Sequence, residues 1–193
     1  MTLIHFSKLN ELPPIKLSKT AISTEFLNKN ITSFQQACEY IQKLPYGRHS
    51  KRDDFLAVLT DGKGSCTSKH GMAVLLANEL NLKLKLICGI YYMTAKNTPK
   101  ISSVLNNYDL NYIPEAHCFI KYQNQYFDIT HTDGESMLDI VDFLELNIDN
   151  IYPKKDIFHQ TYIKNWVKNN TIPYTPEEIW KIREACILAL SRP

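Results

Sequence analysis

A chain of 193 residues, 44% hydrophobic and 22% charged, has the composition of a globular protein large enough to bury a core without metals or disulfides holding it together. Its formal net charge of +2 falls short of the concentrated basic surface that nucleic-acid binding requires, and no stretch approaches the length of a membrane span. Five cysteines (Cys38, Cys66, Cys88, Cys118, Cys186) with an odd count and no CxxC spacing argue for free thiols in a reducing, cytoplasmic compartment, and residues 1–17 lack the apolar run of a cleaved leader, although export by other routes would leave no such mark.

The first thirty residues are polar and broken by Pro13-Pro14, which predicts an extended arm over the surface. Ser33 is placed to cap a helix in which Phe34, Ala37, Cys38, Ile41 and Leu44 share one face, and Pro45-Tyr46-Gly47 ends it. Asp53 or Asp54 can cap a short turn through Phe55, Val58 and Leu59. Asp61-Gly62-Lys63-Gly64-Ser65 is a turn by composition, and the segment after it, 66–80, predicts a buried central helix with Met72, Leu75, Leu76 and Leu80 facing inward.

Residues 82–92 alternate Leu82, Leu84, Leu86, Cys88, Ile90 and Tyr92 with lysines between the first few, the pattern of a strand with one buried face and one that begins wet. The polar stretch 94–115 is longer than most connections and predicts an insertion with local structure or a functional loop, with Tyr108, Tyr112 and Pro114 as candidates to line a cleft. Residues 117–122 and 126–130 read as two strands joined by a Gln123-Asn124-Gln125 hairpin turn. Beyond Thr130 the chain is acidic (Asp133, Glu135, Asp139, Asp142, Glu145) and then basic around Lys154 and Lys155, neither run long enough for a tail. Thr175-Pro176-Glu177-Glu178 is a capping box with proline at the first helical position, and Ile179, Ile182, Cys186, Ala189 and Leu190 form the stripe of a last helix. The whole predicts one α+β domain: a core over 33–130, an N-terminal arm over 1–32 and a helical C-terminal extension over 131–193.

Three residues carry chemistry in this frame. Cys66 falls where a turn enters the central helix, so unpaired backbone N–H groups and the helix dipole favour its thiolate, and it is expected to be partly exposed. His117 and Asp128 each interrupt an apolar strand pattern on neighbouring antiparallel strands, close enough for His117 to serve as acid and base while Asp128 accepts its other ring N–H. The backbone N–H of Cys66 is the natural first donor of an oxyanion hole, with Tyr46 a candidate second, and Arg48 is either a surface charge or a contact for a substrate carboxylate. His70, four residues after Cys66, invites a metal reading with Cys66, His117 and Cys118. Strand alternation instead sends His117 and Cys118 to opposite faces, which leaves Lys69 and His70 as an exposed helix turn and no metal expected.

The order cysteine, histidine, aspartate from helix, strand and strand resembles the transglutaminase-like superfamily, with its papain-like fold. Gly64-Ser65-Cys66, Ala116-His117, Phe127-Asp128-Ile129-Thr130 and Cys88-Gly89-Ile90 carry the resemblance, which covers about a third of the chain, 63–130. Phe119 stands where the family often has tryptophan, and Ile129 where it usually has proline. The resemblance implies a central helix carrying the nucleophile on an antiparallel sheet, and cysteine-dependent acyl chemistry at an amide without a cofactor. Water as second substrate gives a peptidase, amidase or deamidase acting on a peptide, protein or small amide; an amine gives a transglutaminase-type transferase; and a fold kept without the chemistry gives a silent binding module.

Overall fold

Apolar residues spaced through the N-terminal thirty tie it down. In the computed structural model, which describes residues 1–132 and 136–191, Thr2–His5 forms strand β1 and Ala21–Leu27 a short helix α1, with Leu12 and Phe26 buried in the main core. The predicted surface arm is thus partly core. Helix α2 spans Phe34–Lys43 with Phe34, Ala37, Cys38 and Ile41 buried, and Ser33 caps it by accepting the Gln36 N–H at 3.3 Å. The turn at Asp53-Asp54 leads into α3 (Ala57–Thr60), whose N-cap is Leu56; Asp54 Oδ1 takes the Leu56 N–H at 3.1 Å and steers the turn without capping the helix itself.

Helix α4, Cys66–Glu79, is the centre of the molecule and is covered nearly all round. Gly71 lets the Phe55 ring lie directly on it, since a Cβ there would come within 2.8 Å of that ring. At its other end the Glu79 carboxylate accepts the backbone N–H groups of Ile22 and Ser23, both at 2.8 Å, a charge well placed against the positive end of α1. Strand β2 (Leu84–Thr94) follows, then helix α5 (Ser102–Asn107) inside the long polar stretch, then strand β3 (Tyr112–Tyr122) and strand β4 (Gln125–Phe127). The Tyr122↔Gln125 pairing leaves Gln123 and Asn124 as the hairpin turn.

The extension after Thr130 is not only helical. Met137–Ile140 forms β5 and Asp142–Leu146 forms β6 before the long helix α6, Ile151–Asn169, and the capped helix α7, Pro176–Leu190. Asp133 and Glu135 of the acidic run lie outside the described residues; Asp139, Asp142 and Glu145 are exposed. The main sheet is antiparallel, in the order β4-β3-β2-β6, and β1 pairs with β5 in a second small sheet.

Strands β2 and β3 are 11 residues each, about 36 Å at strand rise, and this length serves two cores. Leu84 to Ile90 and Ala116 to Ile120 back α4, while Met93 and Ile113 join Ile101, Leu105, Trp166, Ile179 and Cys186 in a second cluster under α5, α6 and α7. A third cluster of Ile4, Ile87, Phe119, Leu138 and Ile140 fills the space beneath the small sheet. Among the described residues no helix is long and apolar enough to cross a membrane.

Candidate active site

Cys66 is the first residue of α4, and its surroundings are fixed by the turn before it. Ser65 and Ser68 form a reciprocal box, Ser65 Oγ accepting the Ser68 N–H and Ser68 Oγ accepting the Ser65 N–H at 2.9 Å. Gly64 must be glycine for this turn to close, since a Cβ would lie 2.9 Å from Lys69 Cγ and 3.0 Å from Ser68 Oγ. The chain 45–47 runs alongside, Gly64 donating to the Pro45 carbonyl at 3.1 Å and Gly47 to the Gly64 carbonyl at 3.2 Å, which brings Tyr46 to the cavity wall that Cys66 also lines. Cys66 itself is only 6% exposed, less than the expected partial exposure, because α6 and α7 close over the helix start; two cavities still reach it.

His117 stands on β3, opposite Gly89 on β2, with its ring between those of Tyr91 and Phe119. Asp128 lies one residue past the end of β4, not on the strand as expected. Its Oδ1 accepts the Thr130 N–H at 2.8 Å, and this local turn replaces the next ladder bond. From there Asp128 Oδ2 meets His117 Nε2 at 2.6 Å, which leaves Nδ1 as the ring nitrogen free to serve Cys66. Burial opposes the imidazolium, but Asp128 and then Cys66 raise the His117 pKa well above its ordinary value. Burial would likewise push Asp128 up, and His117 holds it far below the usual carboxylate range. Cys66 ionises well below an ordinary thiol: the Cys118 side chain contributes most, and against the cost of burial Lys155 and His117 act in the same direction.

Lys69 and His70 are not an exposed turn; both are fully buried. Lys69 Nζ donates to the carbonyls of Gln42, Leu44 and Thr130 at 3.1, 2.5 and 2.6 Å, so one ammonium ties the chain before Tyr46 to the chain after Asp128. Burial lowers its pKa to about 8. His70 accepts the Ile129 N–H on Nε2 at 2.9 Å, which makes Nδ1 the protonated nitrogen that donates to the Cys66 carbonyl at 2.7 Å. Burial keeps it neutral. Its role is to pin the first turn of α4 to the Asp128 segment, and among the described residues no three His, Cys, Asp or Glu side chains converge to hold a metal ion.

The two cavities meet at Cys66 and share Tyr46, Glu115 and Ile187 as walls. One, of about 460 Å³, runs under α6 and α7 past Thr67, Lys155 and Arg183; the other, of about 790 Å³, runs past His117 and Asp128 to the segment 96–100. That segment and Glu115 are the parts of the long stretch that reach the cleft. Tyr108 packs on Tyr174, Tyr112 on Tyr92 and Trp166, and the Pro114 carbonyl faces His159 at 3.0 Å, so these three are structural and not cleft-lining. Burial, then Cys66, raises the Tyr46 pKa, so its phenol stays protonated and able to donate. Arg48 is exposed and pairs with Glu184 on α7 at 2.6 Å, at the rim of the smaller cavity.

Sequence reasoning passed over Lys155, Glu115 and Arg183. Glu115, two residues before His117 on the same strand face, is bound by the Arg183 guanidinium through two hydrogen bonds of 2.5 Å in the cavity wall. Lys155, expected on a solvated basic run, is 8% exposed and donates to Thr67 Oγ1 at 2.8 Å. Neither a scan of protein-family models nor a search of curated proteins or of solved structures returns a match to this chain.

Proposed function

We propose that this chain performs cysteine-dependent acyl chemistry at an amide bond on a papain-like, transglutaminase-like architecture, with Cys66 as nucleophile, His117 as acid and base, and Asp128 as the group that orients His117. The observation that carries it is the 2.6 Å bond between His117 Nε2 and Asp128 Oδ2 beside a cysteine at the N-terminus of a central helix. The thiolate adds to the carbonyl carbon, and the oxyanion that forms meets the Cys66 N–H and the Tyr46 phenol. The C–N bond breaks as the His117 imidazolium passes its proton to the leaving amine. Water then adds with His117 as base, the C–S bond breaks, and a carboxylic acid leaves.

Cavities on both sides of Cys66 give room for the acyl part and the amine part of a peptide or protein amide. The five free cysteines fit a reducing, cytoplasmic setting. The test is release of amine or ammonia from a peptide-amide library by the purified protein, with Cys66→Ala and His117→Ala as controls. Turnover that disappears in both variants is the expected result, and an added primary amine that diverts product from acid to amide marks transfer instead of hydrolysis. A thiol-directed activity probe that labels Cys66 no faster than Cys38 would overturn the assignment.

A further inference from the structure

A buried ammonium needs a counter-charge, and among the described residues Lys155 on α6 forms no ion pair with a carboxylate. The smaller cavity is walled by four cations. Arg48 pairs with Glu184, Arg52 with Asp156 and Arg183 with Glu115 and Glu184, at 2.5 to 2.7 Å, whereas among the described residues no carboxylate forms an ion pair with Lys155. Its hydrogen bond goes to the hydroxyl of Thr67, the residue that follows Cys66, and the same hydroxyl oxygen lies 3.9 Å from Cys66 Sγ and 3.5 Å from Cys118 Sγ. An ammonium so enclosed ordinarily loses its proton unless an anion stands by.

The ionisable groups that bear on Lys155 are Cys66 on α4, Cys118 and Glu115 on β3, Cys88 on β2 and Tyr46 on the segment before α4, with Tyr152 and His159 on its own helix. Glu115 is committed to Arg183 by two short bonds. Of the three thiols only Cys66 begins a helix, where the unpaired N–H groups favour negative charge. The hydroxyl of Thr67 accepts from the ammonium, so its own hydrogen is free to turn toward sulfur.

We propose that Lys155 is the standing counter-ion of the Cys66 thiolate, a positioning residue that acts partly through Thr67 and holds the nucleophile charged independently of His117. The proposal rests on the assignment of Cys66 as nucleophile. The direction of the Lys155 ionisation agrees: burial alone would lower it, and Cys66 first among its neighbours raises it. Cys118 contributes most to the lowered Cys66 ionisation, but as a neutral S–H it brings no charge, whereas Lys155 supplies the opposite charge, reaching the site through Thr67. Two cations around one thiolate also serve the second half of the reaction. When the acyl C–S bond breaks, the electron pair returns to sulfur beside the Lys155 side chain and the Thr67 hydroxyl, so the departing thiolate meets the same partners that held it charged before the attack.

The test is the pH dependence of Cys66 alkylation by iodoacetamide, followed by site-resolved mass spectrometry, in the wild type, Lys155→Met, Lys155→Arg and His117→Ala. Lys155→Met is expected to raise the midpoint by at least one unit and slow alkylation at pH 6 about tenfold or more, and Lys155→Arg to keep most of the depression. In His117→Ala, which leaves the lysine in place, the midpoint is expected to stay below the ordinary thiol value of about 8.5. An unmoved midpoint in folded Lys155→Met, or an ordinary midpoint in His117→Ala, would overturn the lysine's role, and the second arm decides should Lys155→Met not fold. A wild-type midpoint that is already ordinary would instead remove Cys66 as the nucleophile.

Discussion

The five cysteines show how far surroundings separate copies of one side chain. Burial pushes Cys38 up and Cys186 to about 11, and the neighbouring Cys66 side chain raises Cys118, while Cys66 is driven down. Iodoacetamide near pH 6 is therefore expected to modify Cys66 well ahead of the other four, as peptide mapping after a short exposure would read. On the proposed chemistry, the Cys66 and His117 shifts together set the pH profile of turnover. Activity needs thiolate and imidazolium together, so kcat/KM is expected to rise on the acid side at the lowered Cys66 value and fall on the alkaline side at the raised His117 value. A plateau across neutrality with an alkaline limb above the ordinary histidine value of about 6.5 is the expected shape. A single limb at the ordinary thiol value of about 8.5 would contradict it. Cys66, His117 and Asp128 were legible in the sequence because each breaks a local pattern: a thiol at the joint of turn and helix, and polar residues in apolar strands. Lys155 and Arg183 were not, because they are charges on apolar helix stripes (Ile151, Lys155, His159, Ile163; Ile179, Ile182, Arg183, Cys186), and spacing alone does not tell a buried ion from a solvated one.

At the scale of elements, the turn before α4 does two separable things. Ser65→Ala removes the cap and is expected to cost about 1 kcal/mol of stability with little change in alkylation rate, since the helix start stays in place. Gly64→Ala forces a methyl group against Lys69 and Ser68. Overpacking of this kind costs about 1–3 kcal/mol, and because Lys69 ties residues 42, 44 and 130 together it is expected also to slow Cys66 alkylation. Urea unfolding alongside alkylation rates separates the two variants. The capped helices α2, α4 and α7 and the β2–β3–β4 meander follow from caps and periodicity that any sequence displays. Strands β5 and β6 escaped because they are 4 and 5 residues long, acidic and half exposed, and their pairing with β1 and β2 is a long-range event. Helix α6 lies inside the predicted helical extension, but its bounds were not legible because Lys155 and His159 interrupt its buried stripe and blur the helical period.

At the scale of the molecule, the Glu115–Arg183 pair joins β3 to α7 and so closes the roof of the smaller cavity. Arg183→Met strands a buried carboxylate and is expected to cost about 3–5 kcal/mol in urea unfolding, with much of the loss recovered in the Glu115→Met/Arg183→Met double variant. The pair also gives a defined acid sensitivity. Burial works against the Glu115 carboxylate, but Arg183 brings its pKa below the unfolded value, so its contribution is complete above that value, about 4.3, and fades as the pH falls beneath it. A folded protein whose acid midpoint is unchanged in the double variant would contradict this.

Because the same two long strands line both cores, the two cores of the described residues share one sheet and are expected to melt together. Cutting β2 or β3 anywhere along its length would strip apolar cover from α4 and from the α5–α7 cluster alike. Heat is therefore expected to unfold the described chain in one calorimetric transition, with equal calorimetric and van't Hoff enthalpies, and a protease to leave no long-lived half-molecule. A cleft with Cys66 on one core and its roof on the other is then expected to open only when both cores do, so that exposure of the thiol and loss of the described fold coincide.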